Sequence, residues 1–424
     1  MYLKIAIRNI LRNKRRTFIT LITMSVGLMF FIFFDSLFLG IDKMLIESII
    51  KYSDSSIVIY SKEYDENKKS FPLDKPIKDI KKILNFVNQI PEIETVTPRT
   101  QFVGDLVYSG KSKYITVTVI DAFSDEQVFD FKKSIKEGNY FTNDKNYELL
   151  IGYNLAKDLN IKINDIVTIV TKTKYDTYNA LDFIVTGFIY TTLPTINELS
   201  VIITHNPAKE LLEIENLYNS LHIKVKWYKI ENIKNYTKKV EKIVEQISQY
   251  LGPEYKVYSF NELNKEFVLL MKQKKISSFI IIFMLLLISA VGITNTILMS
   301  VYERIKEIGI LMAIGLKPKQ IRKLFLLEGM LIGSIGSILG CFLGSFINLF
   351  LVRYGYNLES FYTRTAGIKG TDLAMPIWGT IYGVWNLKFF ILCFCFGLIT
   401  AMLASYYPAR YASKLQPTNC LKFM

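Results

Sequence analysis

Few residues in this 424-residue chain could do covalent or acid–base chemistry. There are two histidines, His205 and His222, and both read as ordinary surface or strand-end residues rather than a histidine-based site. Cys393-x-Cys395 has metal-ligand types, but no histidine or second cysteine pair accompanies it, so small apolar packing is the expectation. No G-x-x-x-x-G-K-S/T phosphate loop occurs; the nearest glycine cluster, Gly367-Ile368-Lys369-Gly370, has the wrong spacing. H-E-x-x-H and G-x-S-x-G are also absent. The sequence therefore predicts no catalytic residue, no metal and no ATP hydrolysis by this chain. What remains is charge in apolar company. Asp35 and Glu328 lie in long apolar runs, and Arg304 and Glu307 lie in a short basic loop.

Such charges need elements of a particular kind to hold them. Half of the residues are apolar and 21% are charged, with a mean hydropathy of +0.23. That excludes a disordered chain, and four cysteines exclude a disulfide scaffold. The apolar residues concentrate at 17–40, 277–300, 325–352 and 387–407, each long enough to cross about 30 Å of hydrocarbon as a helix. The net charge of +14 would suggest nucleic acid, but its location argues otherwise. Residues 1–16 hold six basic and no acidic residues, 302–323 six and two, and the tail 408–424 three and none. Residues 41–275 hold 33 basic and 32 acidic residues, too balanced for a nucleic-acid footprint. The short basic segments belong in the cytoplasm, and the large neutral segment faces the other way. The basic start and its 24-residue apolar run read as an uncleaved signal-anchor.

The exported segment carries period-two runs at 56–60, 94–108, 114–120, 165–171, 183–190, 200–204 and 220–227, which predict strands. Helical spacing appears at 77–88, 154–159, 208–215 and 231–250. Residues 41–99 and 216–276 look like two halves of one α/β unit, with a β-rich insertion at 100–215. The polar stretch 172–181 reads as a hairpin tip, a solvated turn or a partner-contact loop. From Phe260 a helical pattern runs without Pro or Gly into the second span, and the first span continues into 41–50. Both predict stiff stalks.

In the loop 301–324, Met299, Tyr302, Ile305, Ile308 and Met312 recur every three to four residues. They predict a short amphipathic helix broken by Gly315 and Pro318. The loop resembles the FtsX-like permease signature R-x-x-E-I-G-x-L-x-A-I-G, matched by Arg304, Glu307, Ile308, Gly309, Leu311, Ala313, Ile314 and Gly315. The start LKIAIRNILRNKRRTFIT is similar to that family's amphipathic elbow helix and first span. The end YYPARYASKLQPTNCLKF is similar to its Y-P-A-R-x-A ending, and IGYNLAKDLNIKINDIVTIV to its exported core. The resemblance covers the whole chain. It implies a membrane subunit of an ABC system of the MacB/LolCDE type in a bacterial inner membrane, with four spans, a periplasmic porter-like α/β domain and an inserted β-rich subdomain. It also implies a coupling helix that docks on a separate ATPase dimer, where ATP and Mg would bind, and a second permease subunit. The residues it assigns to coupling are Tyr302, Glu303, Arg304, Lys306, Glu307, Ile308, Gly309, Leu311, Ala313 and Gly315.

Gly329, Gly333, Gly336, Gly340 and Gly344 fall nearly on one face of the third span and predict close helix packing, within a subunit or across a dimer. Phe30, Phe31, Phe34 and Phe38, with Phe33, would give the first span an aromatic wall. Asp35 either reaches the interface or marks the mouth of a substrate cavity. A chain without a fused ATPase, with a 34-residue last exported loop (353–386), looks most like the lipoprotein-releasing permeases LolC and LolE. That implies an acylated lipoprotein cargo, a membrane-lipid environment and a possible periplasmic chaperone. The stretch 171–182 lacks the proline and length of the LolC chaperone hairpin, which favours a LolE-like role or a diverged loop. A MacB-like exporter of peptides or amphiphiles and a non-transporting signal transducer are the competing expectations.

Overall fold

The computed structural model describes residues 2–12, 14–143, 146–215, 218–226, 233–358, 360–361, 378–417 and 420. Half of the loop 353–386, with residues 367–370, and Trp227 lie outside the described residues. The chain divides into two units, one of residues 1–41, 270–356 and 381–424, the other of 42–269 and 357–380.

In chain order, α1 (Tyr2–Arg12) and α2 (Lys14–Ser48) precede β1 (Ile57–Ser61), α3 (Lys62–Glu66) and α4 (Ile80–Val87). Then come β2 (Ile93–Tyr108), β3 (Lys111–Ile120), α5 (Ala122–Val128), β4 (Ile135–Gly138) and β5 (Glu148–Gly152). They are followed by α6 (Tyr153–Leu159), β6 (Ile166–Lys172), β7 (Tyr178–Ile189), α7 (Pro194–Leu199), β8 (Ser200–Thr204) and α8 (His205–Leu212). Next are β9 (Ser220–Val225), α9 (Ile233–Leu251), β10 (Tyr255–Ser259) and α10 (Phe260–Leu263). The chain closes with α11 (Lys265–Glu303), α12 (Ile305–Ala313), α13 (Pro318–Tyr354) and α14 (Leu387–Ser413).

The exported unit is organised by one ten-stranded sheet in the order β10-β1-β9-β2-β3-β8-β5-β7-β4, with β6 bridging β2 and β7. The bridge closes β2, β3, β8, β5, β7 and β6 into a ring. Alternate residues of these strands point inward and are fully buried: Ile115 and Val117, Leu149 and Ile151, Val167 and Ile169, Phe183 and Val185, Val201 and Ile203. Gly104 permits the closure, since a Cβ there would stand 2.7 Å from the Val170 carbonyl oxygen of β6. The strand β2 belongs to both halves. Its start pairs with β9 as far as Arg99↔Ser220, and its end pairs with β3 from Arg99↔Ile120 onward. The inserted part is β-rich, with α5, α6, α7 and α8 packed on the ring. Neither β4 nor β5 shows in the sequence pattern. All five residues of β5 are buried, so it has no alternation to read.

Among the described residues, the membrane unit holds four helices long and apolar enough to cross a bilayer. The first and second expected spans are the apolar parts of longer helices, α2 of 35 residues and α11 of 39. The stalk expected from Phe260 is interrupted. A Ser259 capping box starts α10, Asn264 leaves helical geometry, and its side-chain amide donates to Asp54 Oδ2 at 2.9 Å. At the other end, the helix of the fourth span does not stop at 407. It runs through Pro408 to Ser413. Proline cannot bond the carbonyl four residues back. That carbonyl, Ala404 O, instead accepts from Thr294 Oγ1 of α11 at 2.9 Å.

The glycine stripe packs within the subunit on two different helices. Built Cβ atoms at Gly329 and Gly333 would meet Ser405 and Ala401 of α14 at 2.4 Å. At Gly336, Gly340 and Gly344 they would meet Met24, Leu28 and Ile32 of α2 at 2.7–2.8 Å. Hydroxyls add contacts of α2 with α11 and with α13. Thr20 and Thr296 pair at 2.6 Å, and Ser25 Oγ donates to the Gly336 carbonyl at 3.1 Å.

Candidate coupling site

Between α11 and α13 the chain turns at Arg304 and forms the nine-residue α12. Its end is a Schellman motif. The Gly315 N–H bonds the Met312 carbonyl and the Leu316 N–H the Leu311 carbonyl, both at 3.0 Å, with Gly315 at φ +107°. Pro318 then opens α13, and the Lys317 N–H donates to Gln320 Oε1 at 2.7 Å. The helix is therefore short by construction and has one buried and one open face.

The open face carries Tyr302, Glu303, Lys306, Glu307, Ala313 and Gly315 of the residues assigned to coupling. It also carries two the sequence reading left out, Ile310 (49% exposed) and Ile314 (75%). Apolar residues this exposed beside charged ones suit a protein partner. Arg304, Ile308 and Gly309 do not belong to it. All three are buried and Leu311 is half-buried, so these four of the residues assigned to coupling lie off the open face. Ile308 joins the core of the four-helix unit. Gly309 sits where a Cβ would come 2.6 Å from the Cβ of Cys420, so the C-terminal segment lies against the inner face of α12. The two motifs recognised at 304–315 and at the chain end thus meet in space. Tyr302 and Tyr411 add a second contact, with ring centroids 5.7 Å apart.

Arg304 turns inward to a carboxylate. Its Nη1 donates to Glu328 Oε1 at 3.0 Å, with both side chains 4% exposed, and its Nε donates to Glu307 Oε2 at 2.8 Å. Helix α1 completes the group. Asn9 Nδ2 donates to the same Glu328 oxygen, Arg12 Nη1 to Glu307 Oε1 at 2.7 Å, and Arg16 Nη2 of α2 to Glu303 Oε1 at 2.8 Å. Desolvation pushes the Glu307 carboxyl up, but the hydrogen bonds from Arg12 and Arg304 outweigh it and hold the pKa below the ordinary value. Glu328 is therefore the buried counter-ion of the loop. The sequence signal for Arg12 and Arg16 is only the basic start itself, because Arg12 ends α1 and Arg16 belongs to the first turn of α2.

At the exported end of the spans, the expected cavity residues separate. Phe30, Phe34 and Phe38 form a ladder along one face of α2, with centroids 6.3 and 5.9 Å apart, and Phe30 is 43% exposed. Phe31 is buried edge-on against Phe389 of α14 at 4.4 Å, so it is core. Asp35 accepts from Asn386 Nδ2 at 3.2 Å, and Asn386 is the N-cap of α14. Beside it, Ser36 Oγ bonds Asn348 Oδ1 and accepts from the Val384 N–H at 3.0 Å. Asp35 thus braces the start of the fourth span and is not the free carboxylate of a cavity mouth.

Among the described residues, no group of three or more His, Cys, Asp or Glu converges as a metal site. Cys393 is buried and Cys395 exposed, as two positions apart on a helix dictate. His222 is enclosed in the exported unit, with Nδ1 on the Asp54 carbonyl at 3.2 Å and Nε2 on Ser220 Oγ at 3.1 Å. Burial, assisted by the nearby Arg99, lowers its pKa to about 3. Arg99 itself forms a bidentate buried pair with Asp125 at 2.6 and 2.9 Å, its guanidinium 3.2 Å from the Phe129 ring centroid. The expected hairpin tip is narrower than the sequence suggested. Strands run in to Lys172 and out from Tyr178, leaving five residues, and Tyr175 and Tyr178 are exposed.

Two family profiles match the chain: one described as MacB-like periplasmic core domain over residues 17–230, the other as FtsX-like permease C-terminal over residues 279–417. An uncharacterized ABC transporter permease of Methanocaldococcus jannaschii is 25% identical over 98% of this chain and 96% of its own length. The ABC transporter permease YtrF of Bacillus subtilis is 26% identical over 98% and 97%. The lipoprotein-releasing system transmembrane protein LolC of Buchnera aphidicola subsp. Schizaphis graminum is 23% identical over 71% and 77%. With half of its length matched by the first profile and its last three spans by the second, the chain belongs to the FtsX/MacB-type ABC transporter permeases, as an inner-membrane protein with a MacB-like periplasmic domain.

Proposed function

We propose that this permease works with a separate ATPase dimer and a second permease subunit, identical or paralogous. ATP and Mg bind to the ATPase. Its closure moves α12, and α2 and α11 deliver the movement to the exported domain. The observation that carries this reading is the open face of α12, where Ile310 and Ile314 stand exposed beside Lys306 and Glu307.

The cargo we propose is an acylated lipoprotein taken from the outer leaflet, with no path through the membrane. The Phe30–Phe34–Phe38 ladder offers acyl chains an aromatic wall. The cavity inside the bundle lined by Met24, Leu28, Phe31, Leu285 and Thr400 measures about 10 Å³, room for a water at most. The likeness to LolC supports the same cargo. The profile described as MacB-like favours a second reading, export of peptides or amphiphiles. Photocrosslinking from Phe34 in intact cells separates the two. Lipoprotein release predicts capture of lipoproteins that disappears when acylation is blocked. Capture of phospholipid and a partner subunit alone overturns it.

A further inference from the structure

The polar group around Arg304 joins three parts of the chain far apart in sequence: α1, the α12 loop and α13. We infer that it is a latch that makes α1 and α12 move as one body, so that a push on the coupling helix reaches the first span through α1. This rests on the docking of an ATPase at α12, but the latch itself lies within this chain.

The argument starts from covalent connection. Helix α12 follows α11 directly and is joined to α13 by a short turn, so a displacement passes to the second and third spans without side chains. Nothing covalent ties it to the first span, some 290 residues away in sequence. Two ion pairs supply that tie. Arg12 of α1 holds Glu307 of α12, and Arg16 at the start of α2 holds Glu303, the last residue of α11 just before the turn into α12, at 2.7 and 2.8 Å. Exposed pairs alone would be weak struts, since water screens them and side-chain entropy opposes them. Here they are anchored. Glu307 is held on its second oxygen by Arg304, and Arg304 is fixed by Glu328 in a buried pair that also receives Asn9 from α1. Removing one partner of a buried pair leaves the other charge stranded, so the anchor resists sliding. Each acid thus touches both sides of the joint: Glu307 binds Arg12 and Arg304, and Glu328 binds Asn9 and Arg304. Thr17 Oγ1, donating to the Ile10 carbonyl at 3.2 Å, fastens α1 to α2 across their junction. Arg12, Glu307 and Glu328 are positioning residues; they touch neither nucleotide nor cargo.

The test is a distance between spin labels at Leu11→Cys, 59% exposed, and Met312→Cys, a half-buried position of α12 outside the proposed docking face, in full-length protein whose four native cysteines are replaced. It is read in nanodiscs by pulsed electron resonance, alone and with the co-purified ATPase trapped in ATP. The latch predicts one narrow distance, unchanged by ATP. In Arg12→Gln and Glu307→Gln the distribution roughly doubles in width and shifts with ATP, while the swap Arg12→Glu with Glu307→Arg recovers the narrow distance. Both positions are half-exposed, so these variants fold even where the buried Glu328→Gln does not. A wild-type distance that changes on ATP trapping, or variants as narrow as wild type, overturns the latch. Failure of the unaltered protein to co-purify with an ATPase, with a narrow distance in the free protein, overturns the docking reading alone.

Discussion

Thr294 donates its hydroxyl proton to the Ala404 carbonyl, 2.9 Å away, which Pro408 leaves without a helical partner. A fault in one span is thereby repaired by another, and α11 is joined to α14 at the depth of the break. Replacing Thr294 with Val strands that carbonyl in the bundle. Interhelical hydrogen bonds of this kind contribute about 0.6 kcal/mol on average and at most about 1.7. Thr294→Val should cost an amount in that range in denaturation of the detergent-solubilised protein. The cost should shrink in a Pro408→Ala background, where residue 408 regains its N–H. An equal cost in both backgrounds contradicts the repair.

The glycine stripe predicts a ranking. A methyl at Gly333 would meet the Ala401 Cβ at 2.4 Å, and neither side can yield without moving a helix. A methyl at Gly336 would meet the Met24 sulfur at 2.8 Å, the flexible part of a side chain. Gly333→Ala should therefore destabilise the protein by roughly 1–3 kcal/mol and Gly336→Ala by less. Thermal unfolding of the two variants checks the order, and the reverse order sinks the packing assignment.

In the exported unit, His222 sets a dependence on acid. The unfolded histidine takes up a proton near its ordinary value of 6.5, whereas the buried one stays neutral down to about 3. Between those values the unfolded chain binds more protons, so stability is complete above 6.5 and falls with pH below it. The slope is at most about 1.4 kcal/mol per pH unit. Comparing unfolding midpoints at pH 7 and pH 5 should show a larger drop for the natural protein than for His222→Gln. Equal drops mean that His222 is not the group responsible.

Glu307→Arg places a third cation beside Arg12 and Arg304, which now share one carboxylate. ATP-driven transport should be abolished while membrane insertion remains normal. Full transport by the variant contradicts a coupling role for this face.

Much of the architecture could be read from the residues because it rests on composition along the chain. Four apolar runs, the charge asymmetry and the amphipathic period around Ile305 and Ile308 are local properties. What sequence could not supply were partners. Arg304 looks like a surface cation in an amphipathic loop; it is buried because Glu328, at the start of the next span, neutralises it. Phe31 and Phe30 are equivalent in sequence, yet one faces Phe389 and the other stands exposed. Asp35 gave no hint of Asn386, 351 positions away. The glycines announced close packing but not that α2 and α14 divide the stripe. Short strands were missed for the same reason, since β5 is defined by its neighbours in the ring and not by any pattern of its own.

The central claim is that α12 meets the ATPase. A photocrosslinker at Ile314, the most exposed apolar residue of that face, tests it most directly. In membranes from cells making the whole transporter, the account predicts a crosslink to an ATP-binding subunit, lost when Ile310 is changed to Glu. A crosslink to lipid alone, with the ATPase still co-purifying, would contradict it.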